Sequence, residues 1–255
     1  MINNIDITKI LFLDVECVSA KPSYGDLDET FQQLWAGKSR GLLRRDNPDP
    51  TEEDIAASYS ERAGIYAEFG KIVCISVGFM ARDTNKKLLV RLKSFADDDE
   101  SVLLKDFCQL LNQYYNNPNY HYLCGHNIKE FDVPYICRRL VVNQIPFPNL
   151  LQIHGKKPWE TKYLLDTLAL WKFGDYKNYT SLKLLAAALG FPSPKDDIDG
   201  SDVGRVYWEE KDLPRIAHYC EKDVLATVQL FLRFRMLPLL EGEQVIHVGA
   251  AAAGE

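Results

Sequence analysis

Ile10-Leu11-Phe12-Leu13-Asp14-Val15-Glu16-Cys17 decides the fold. From Ile10 to Val15 the run is apolar except at Asp14, the pattern of a strand buried on both faces inside an α/β sheet. The charges at Asp14 and Glu16 are expected to close it. Two positions apart on a strand, their side chains project to the same face. Such carboxylates repel and raise each other's pKa unless a divalent cation neutralises them, and hard oxygen ligands suit Mg²⁺ or Mn²⁺. Taken alone, a strand end meeting solvent explains the pair at least as well.

The flanking sequence builds the rest of a sheet. Residues from about 21 to 70 are polar and helical, with a capping-box pattern at Thr51 to Asp54, and predict a helical insertion between two strands. Lys71 to Ala81 and Lys86 to Ser94 flank Asp83-Thr84-Asn85 and predict an antiparallel hairpin. Acids from Asp97 to Glu100 then precede the helical spacing of Val102, Leu103, Phe107, Leu110 and Leu111. Tyr120 to Cys124, the turn Gly125-His126-Asn127 and Glu130 to Val142 read as strand, turn and helix. Leu164 to Lys172 fits either strand or helix. Ser181 to Leu189, closed by Gly190, is a capped helix, and Asp212 with Pro214 opens a last one running to about Met236. This order gives an α/β fold with a mixed sheet. With no repeat or linker, residues 1–248 are expected to form one domain and 249–255 a flexible tail.

Composition narrows the function. The chain has 255 residues, 46% hydrophobic and 26% charged, as in one large ordinary domain. No apolar run approaches the roughly 18 residues of a spanning helix, and the first residues show no signal-peptide pattern, so a cytoplasmic location away from membranes is expected. The formal charge of −6 has the wrong sign for holding duplex DNA by counterion release alone. A nucleic-acid partner would need bound cations or local basic patches, and Lys38, Arg40, Arg44 and Arg45, or Lys156 and Lys157 beside Trp159, are candidates. Six cysteines show no CxxC pair and five histidines no HExxH, so any metal is expected to be held by oxygen. Neither GxGxxG nor GxxxxGK[ST] is present, which leaves a Rossmann or P-loop site without support.

Two further acidic strings complete the picture. Asn127-Ile-Lys-Glu-Phe-Asp132-Val-Pro-Tyr135 follows a strand, and Tyr219-Cys220-Glu221-Lys222-Asp223 places Tyr219 and Asp223 four apart on one helix face. With Asp14-Val15-Glu16-Cys17, these resemble the three motifs of the DEDD superfamily of exonucleases, in the DEDDy form of family B DNA polymerase proofreading domains. They fall in the family's order and span residues 14 to 223.

The resemblance implies a ribonuclease H-like mixed β-sheet flanked by helices. It also implies metal-dependent 3′-5′ hydrolysis of single-stranded nucleic acid, DNA in preference to RNA, with two divalent ions, Mg²⁺ or Mn²⁺. Asp14, Glu16, Asp132 and Asp223 would be the metal ligands, and Tyr219 would orient the attacking water. Asn127 would position Asp132 or substrate, unless it is simply a turn residue. His218, five residues before Asp223, sits where the sister DEDDh branch places its general base, so both patterns are present. Asp166 in Leu165-Asp166-Thr167-Leu168 is expected to be structural. An RNA-trimming enzyme and a non-catalytic nucleic-acid binding module are the alternatives; protein partners are not legible.

Overall fold

The computed structural model describes residues 2–176, 179–192 and 198–249, so the expected tail beyond Gly249 lies outside the described residues. Strand β1 covers Ile10–Ser19 and does not stop at its acids. It continues because β2, Gly70–Arg82, pairs with it antiparallel from Leu11 opposite Phe79 to Ser19 opposite Gly70. The expected hairpin is completed by β3, Leu88–Ala96. β4, Tyr122–Gly125, and β5, Leu164–Asp166, run parallel to β1, and the unforeseen β6, Val245–His247, runs parallel to β3. The order β5-β4-β1-β2-β3-β6 makes one mixed six-stranded sheet.

The insertion carries α1, Glu29–Leu43, and α2, Glu52–Arg62, the latter opened by the Thr51 capping box. Buried Trp35 gathers Tyr59, Ile55 and Phe69 into a separate small core there. Among the described residues the remaining α-helices are α3, Glu100–Tyr114; α4, Asp132–Val142; α5, Thr167–Lys172; α6, Leu182–Leu189; the single turn α7, Val203–Arg205; and α8, Leu213–Phe234. The ambiguous Leu164 to Lys172 segment is both strand and helix, divided at Asp166, whose side chain caps α5.

Alternation along β1 distributes the layers. Leu11, Leu13 and Val15 join Phe107 and Leu111 of α3 and Ile136 and Leu140 of α4 in one core. Ile10 and Phe12 join Val224, Val228 and Phe231 of α8 in another, with the Phe12 and Phe231 rings edge to face at 5.6 Å. Gly78 of β2 lets α8 lie this close, because a Cβ there would stand 2.8 Å from Val224 Cγ1. On the α3–α4 side, Arg139 and Glu100 form a buried ion pair at 2.6 Å. Arg139 also donates to the Ala67 carbonyl at 2.8 Å, and Glu100 accepts from the Ile72 amide at 2.7 Å, so the pair ties α3, α4, β2 and the end of the insertion together. Among the described residues no helix is long and apolar enough to cross a membrane.

Candidate active site

Asp14, Glu16, Asn127, Asp132, Tyr219 and Asp223 line a single cleft of about 510 Å³. Asp14 and Glu16 share the parity of Ile10 and Phe12, which places them on the face that α8 covers. Their strand keeps its register to Glu16, and a β-bulge follows between Glu16 and Cys17. α8 brings Tyr219 and Asp223 to the same point, one turn apart, while Cys220 Sγ reaches the Asp14 carbonyl at 3.4 Å.

Asp132 arrives from the other side of β1. β4 runs beside β1 and ends in a turn where Asn127 takes φ 66°, a left-handed conformation asparagine tolerates better than most residues. The Asn127 carbonyl accepts from the amides of Glu130 at 3.1 Å and Phe131 at 3.0 Å, which folds the chain into the start of α4 with Asp132 in its first turn. Asn127 is thus both a turn residue and part of the cleft lining.

Asp166 supports this turn from below. Its carboxylate accepts from the amides of Asn127 at 3.1 Å and Lys129 at 3.2 Å, and from Leu168 at 2.9 Å and Ala169 at 3.1 Å to cap α5. It is an engaged structural acid outside the cleft lining.

The acids crowd one another. Asp14 opens partly to the cleft but is walled in by protein, and burial followed by the charges of Asp223, Asp132 and Glu16 raises its pKa well above the carboxylate range. Asp132 is 3% exposed, and burial pushes it up to about 7 against a hydrogen bond from its own amide. Nearby Asp166 and Asp223 push it the same way. Burial and the Asp223 charge hold the Tyr219 hydroxyl far above its ordinary range, so it remains a proton donor at neutral pH.

This donor set fits hard divalent cations. Ligand atoms of Asp14, Glu16 and Cys220 lie within 4.8 Å of one another, and bringing a cation among the carboxylates relieves the repulsion that, after burial, raises the pKa of Asp14. The Cys220 sulfur is a different matter: it is a soft donor that hard cations favour less than carboxylate oxygen, and its thiol is bonded to the Asp14 carbonyl at 3.4 Å.

Tyr219 and His218 separate cleanly. Tyr219 is 7% exposed and lines the cleft, whereas His218 is exposed and lies 6.3 Å from the His247 ring. The basic residues singled out in the sequence lie elsewhere: Lys38 sits over the Tyr66 ring at 3.8 Å, Lys156 over Tyr163 at 5.6 Å, and none lines the cleft. The sequence reading missed His126, Tyr179 and Lys183, which do. Their one local signal is the helix start at Ser181.

A family model described as a predicted 3′-5′ exonuclease related to the exonuclease domain of PolB matches residues 65–244. Among solved structures, the family B DNA polymerase from the hyperthermophilic archaeon Pyrobaculum calidifontis is similar, with a TM-score of 0.53 at 13% identity. The alignment covers 89% of this chain and 24% of the polymerase, so the chain spans about a quarter of that protein's length. That likeness shows the fold, a ribonuclease H-like mixed sheet flanked by helices. No curated protein matches the chain.

Proposed function

Because the chain belongs to the family of predicted 3′-5′ exonucleases related to the exonuclease domain of PolB, we propose that it hydrolyses the 3′ end of single-stranded nucleic acid with divalent metal ions, DNA in preference to RNA. The observation that carries this reading is convergence: four carboxylates and a tyrosine from β1, α4 and α8, separated by about two hundred residues of chain, line one cleft.

Asp14, Glu16, Asp132 and Asp223 would hold two divalent ions, Mg²⁺ or Mn²⁺. Such ions, when bound, neutralise the phosphate and stabilise both the attacking and the leaving oxygen of an in-line displacement. The chain's own groups do the positioning. Tyr219 keeps its proton and donates it as a hydrogen bond to Asp223, which suits it to orienting a water rather than deprotonating one. The water oxygen bonds to phosphorus as the bond to the 3′-oxygen of the preceding nucleotide breaks. One proton of the water leaves to solvent and one is taken up by that 3′-oxygen, giving a nucleoside 5′-monophosphate and a strand one residue shorter. Asn127, held at the cleft by Asp166, would steady the Asp132 side or the substrate.

Matched 5′-labelled single-stranded DNA and RNA, incubated with Mg²⁺, Mn²⁺ or chelator beside Asp14→Ala, test the proposal. A metal-dependent ladder shortening from the 3′ end and absent in Asp14→Ala is expected, faster on DNA. A faster RNA ladder would make it an RNA-trimming enzyme, and binding of either strand without any ladder would make it a binding module.

A further inference from the structure

The cleft has a wall that the acidic strings do not account for, formed by His126 and the chain entering α6. His126 is half-buried, and burial lowers its pKa, so the neutral ring is the form present near pH 7. Its Nε2 lies 2.9 Å from the Thr180 carbonyl and its Nδ1 3.0 Å from Thr167 Oγ1. A carbonyl only accepts, so Nε2 carries the proton and donates to it, while Nδ1 faces the Thr167 hydroxyl, whose single proton lies between it and the Gly125 carbonyl at 3.2 Å. His126 thereby latches the segment ahead of α6 to the end of β4 and the start of α5.

Two side chains of the cleft lining flank that latch in the chain. The Tyr179 ring meets the His126 ring edge-on at 6.1 Å, yet 65% of the residue is exposed. An aromatic ring held at one edge and open elsewhere, on the wall of a cleft, is a surface on which a base can stack without any sequence requirement. Lys183, in the first turn of α6, is the one cation lining the cleft among the described residues. Beside four carboxylates that divalent ions would neutralise, such a charge favours the approach of a polyanion.

Building on the exonuclease reading, we infer that Tyr179 stacks on the base of the 3′-terminal nucleotide, that Lys183 meets a neighbouring phosphate, and that His126 is the positioning residue for Tyr179. Stacking also fits the task, since an enzyme that trims any end gains nothing from hydrogen-bond readout of a base.

The test uses the full chain and 5′-labelled single strands ending either in a normal nucleotide or in an abasic residue. Tyr179→Ala should raise KM on the normal end about tenfold with kcat little changed, and Tyr179→Phe, which keeps the ring, should restore most of that loss. On the abasic end, wild type and Tyr179→Ala should be equal. His126→Ala should reproduce the Tyr179→Ala pattern in weaker form, and Lys183→Gln should raise KM on both ends and flatten its salt dependence by about one charge. An unchanged KM for Tyr179→Ala on the normal end, or an equal loss on both ends, overturns the inference. Anisotropy of the same strands in Ca²⁺ buffer separates this from hydrolysis. A preference for the normal end that Tyr179→Ala abolishes, without nucleotide removal in Mg²⁺ or Mn²⁺, upholds the platform and sinks the exonuclease; a ladder indifferent to Tyr179 does the reverse.

Discussion

The thiol of Cys220 on α8 lies 3.4 Å from the carbonyl oxygen of Asp14 on β1, so the helix is seated on the strand at the residue where the acidic cleft begins. Cys220 is fully buried, and Gly78 on the neighbouring strand leaves no slack beneath Val224. Cys220→Leu should therefore overpack this contact, cost about 1–3 kcal/mol in urea unfolding and lower hydrolysis beyond the loss of folded protein. Cys220→Ala, which only removes atoms, should slow hydrolysis far less. If Cys220→Leu retains the wild-type rate, the seating does not govern the site.

Tyr219 lines the cleft and His218 does not. Tyr219→Phe removes only the hydroxyl and should slow hydrolysis about tenfold or more, while His218→Ala should change it little. Single-turnover rates on one oligonucleotide give the ranking, and the opposite order would assign the water to the histidine.

Asp14 and Asp132 have pKa values raised above their unfolded values, Asp132 to about 7. Between about pH 4 and 7 the metal-free folded chain then binds more protons than the unfolded one, so these groups lower stability as pH rises through that window. Metal binds the deprotonated carboxylates, and the gain in Tm on adding Mn²⁺ should grow as pH is raised from about 5 to about 8. His126, whose pKa burial lowers, destabilises the fold in the opposite direction as pH falls below about 6.5, but this cancels when Tm is compared with and without metal at each pH. Asp132→Asn should raise the metal-free Tm at pH about 8 and remove most of the Mn²⁺ gain. A pH-independent gain would place the metal elsewhere.

Glu100 and Arg139 stabilise the opposite face of the sheet through a buried pair. Glu100→Ala leaves the Arg139 charge without its carboxylate and the Ile72 amide without its acceptor, and should cost about 3–5 kcal/mol in denaturant unfolding. Combining it with Arg139→Met should cost less than the sum of the two single changes, because the second removes the stranded charge. Additive losses would show that the two side chains act independently.

The chain's local patterns carried much of this. The apolar run ending in Asp14 and Glu16, the four-residue spacing of Tyr219 and Asp223, and the caps at Thr51, Ser181 and Asp212 are set by backbone periodicity and by hydrogen bonds within a few residues. The three acidic strings were therefore legible, as was an α/β sheet to hold them. What depended on partners distant in sequence was not. β1 extends to Ser19 because β2 is there to pair with it, and β6 exists only against β3. The choice between His218 and Tyr219 rests on one residue of helix rotation, about 100°, which the packing of α8 on β1 and β2 selects. His126, Tyr179 and Lys183 form a wall because a ring at the end of β4 meets the Thr180 carbonyl, more than fifty residues away. Short-range periodicity determines which side chains share a face; which faces meet is decided by long-range burial and hydrogen bonding, and the cleft lies where they meet.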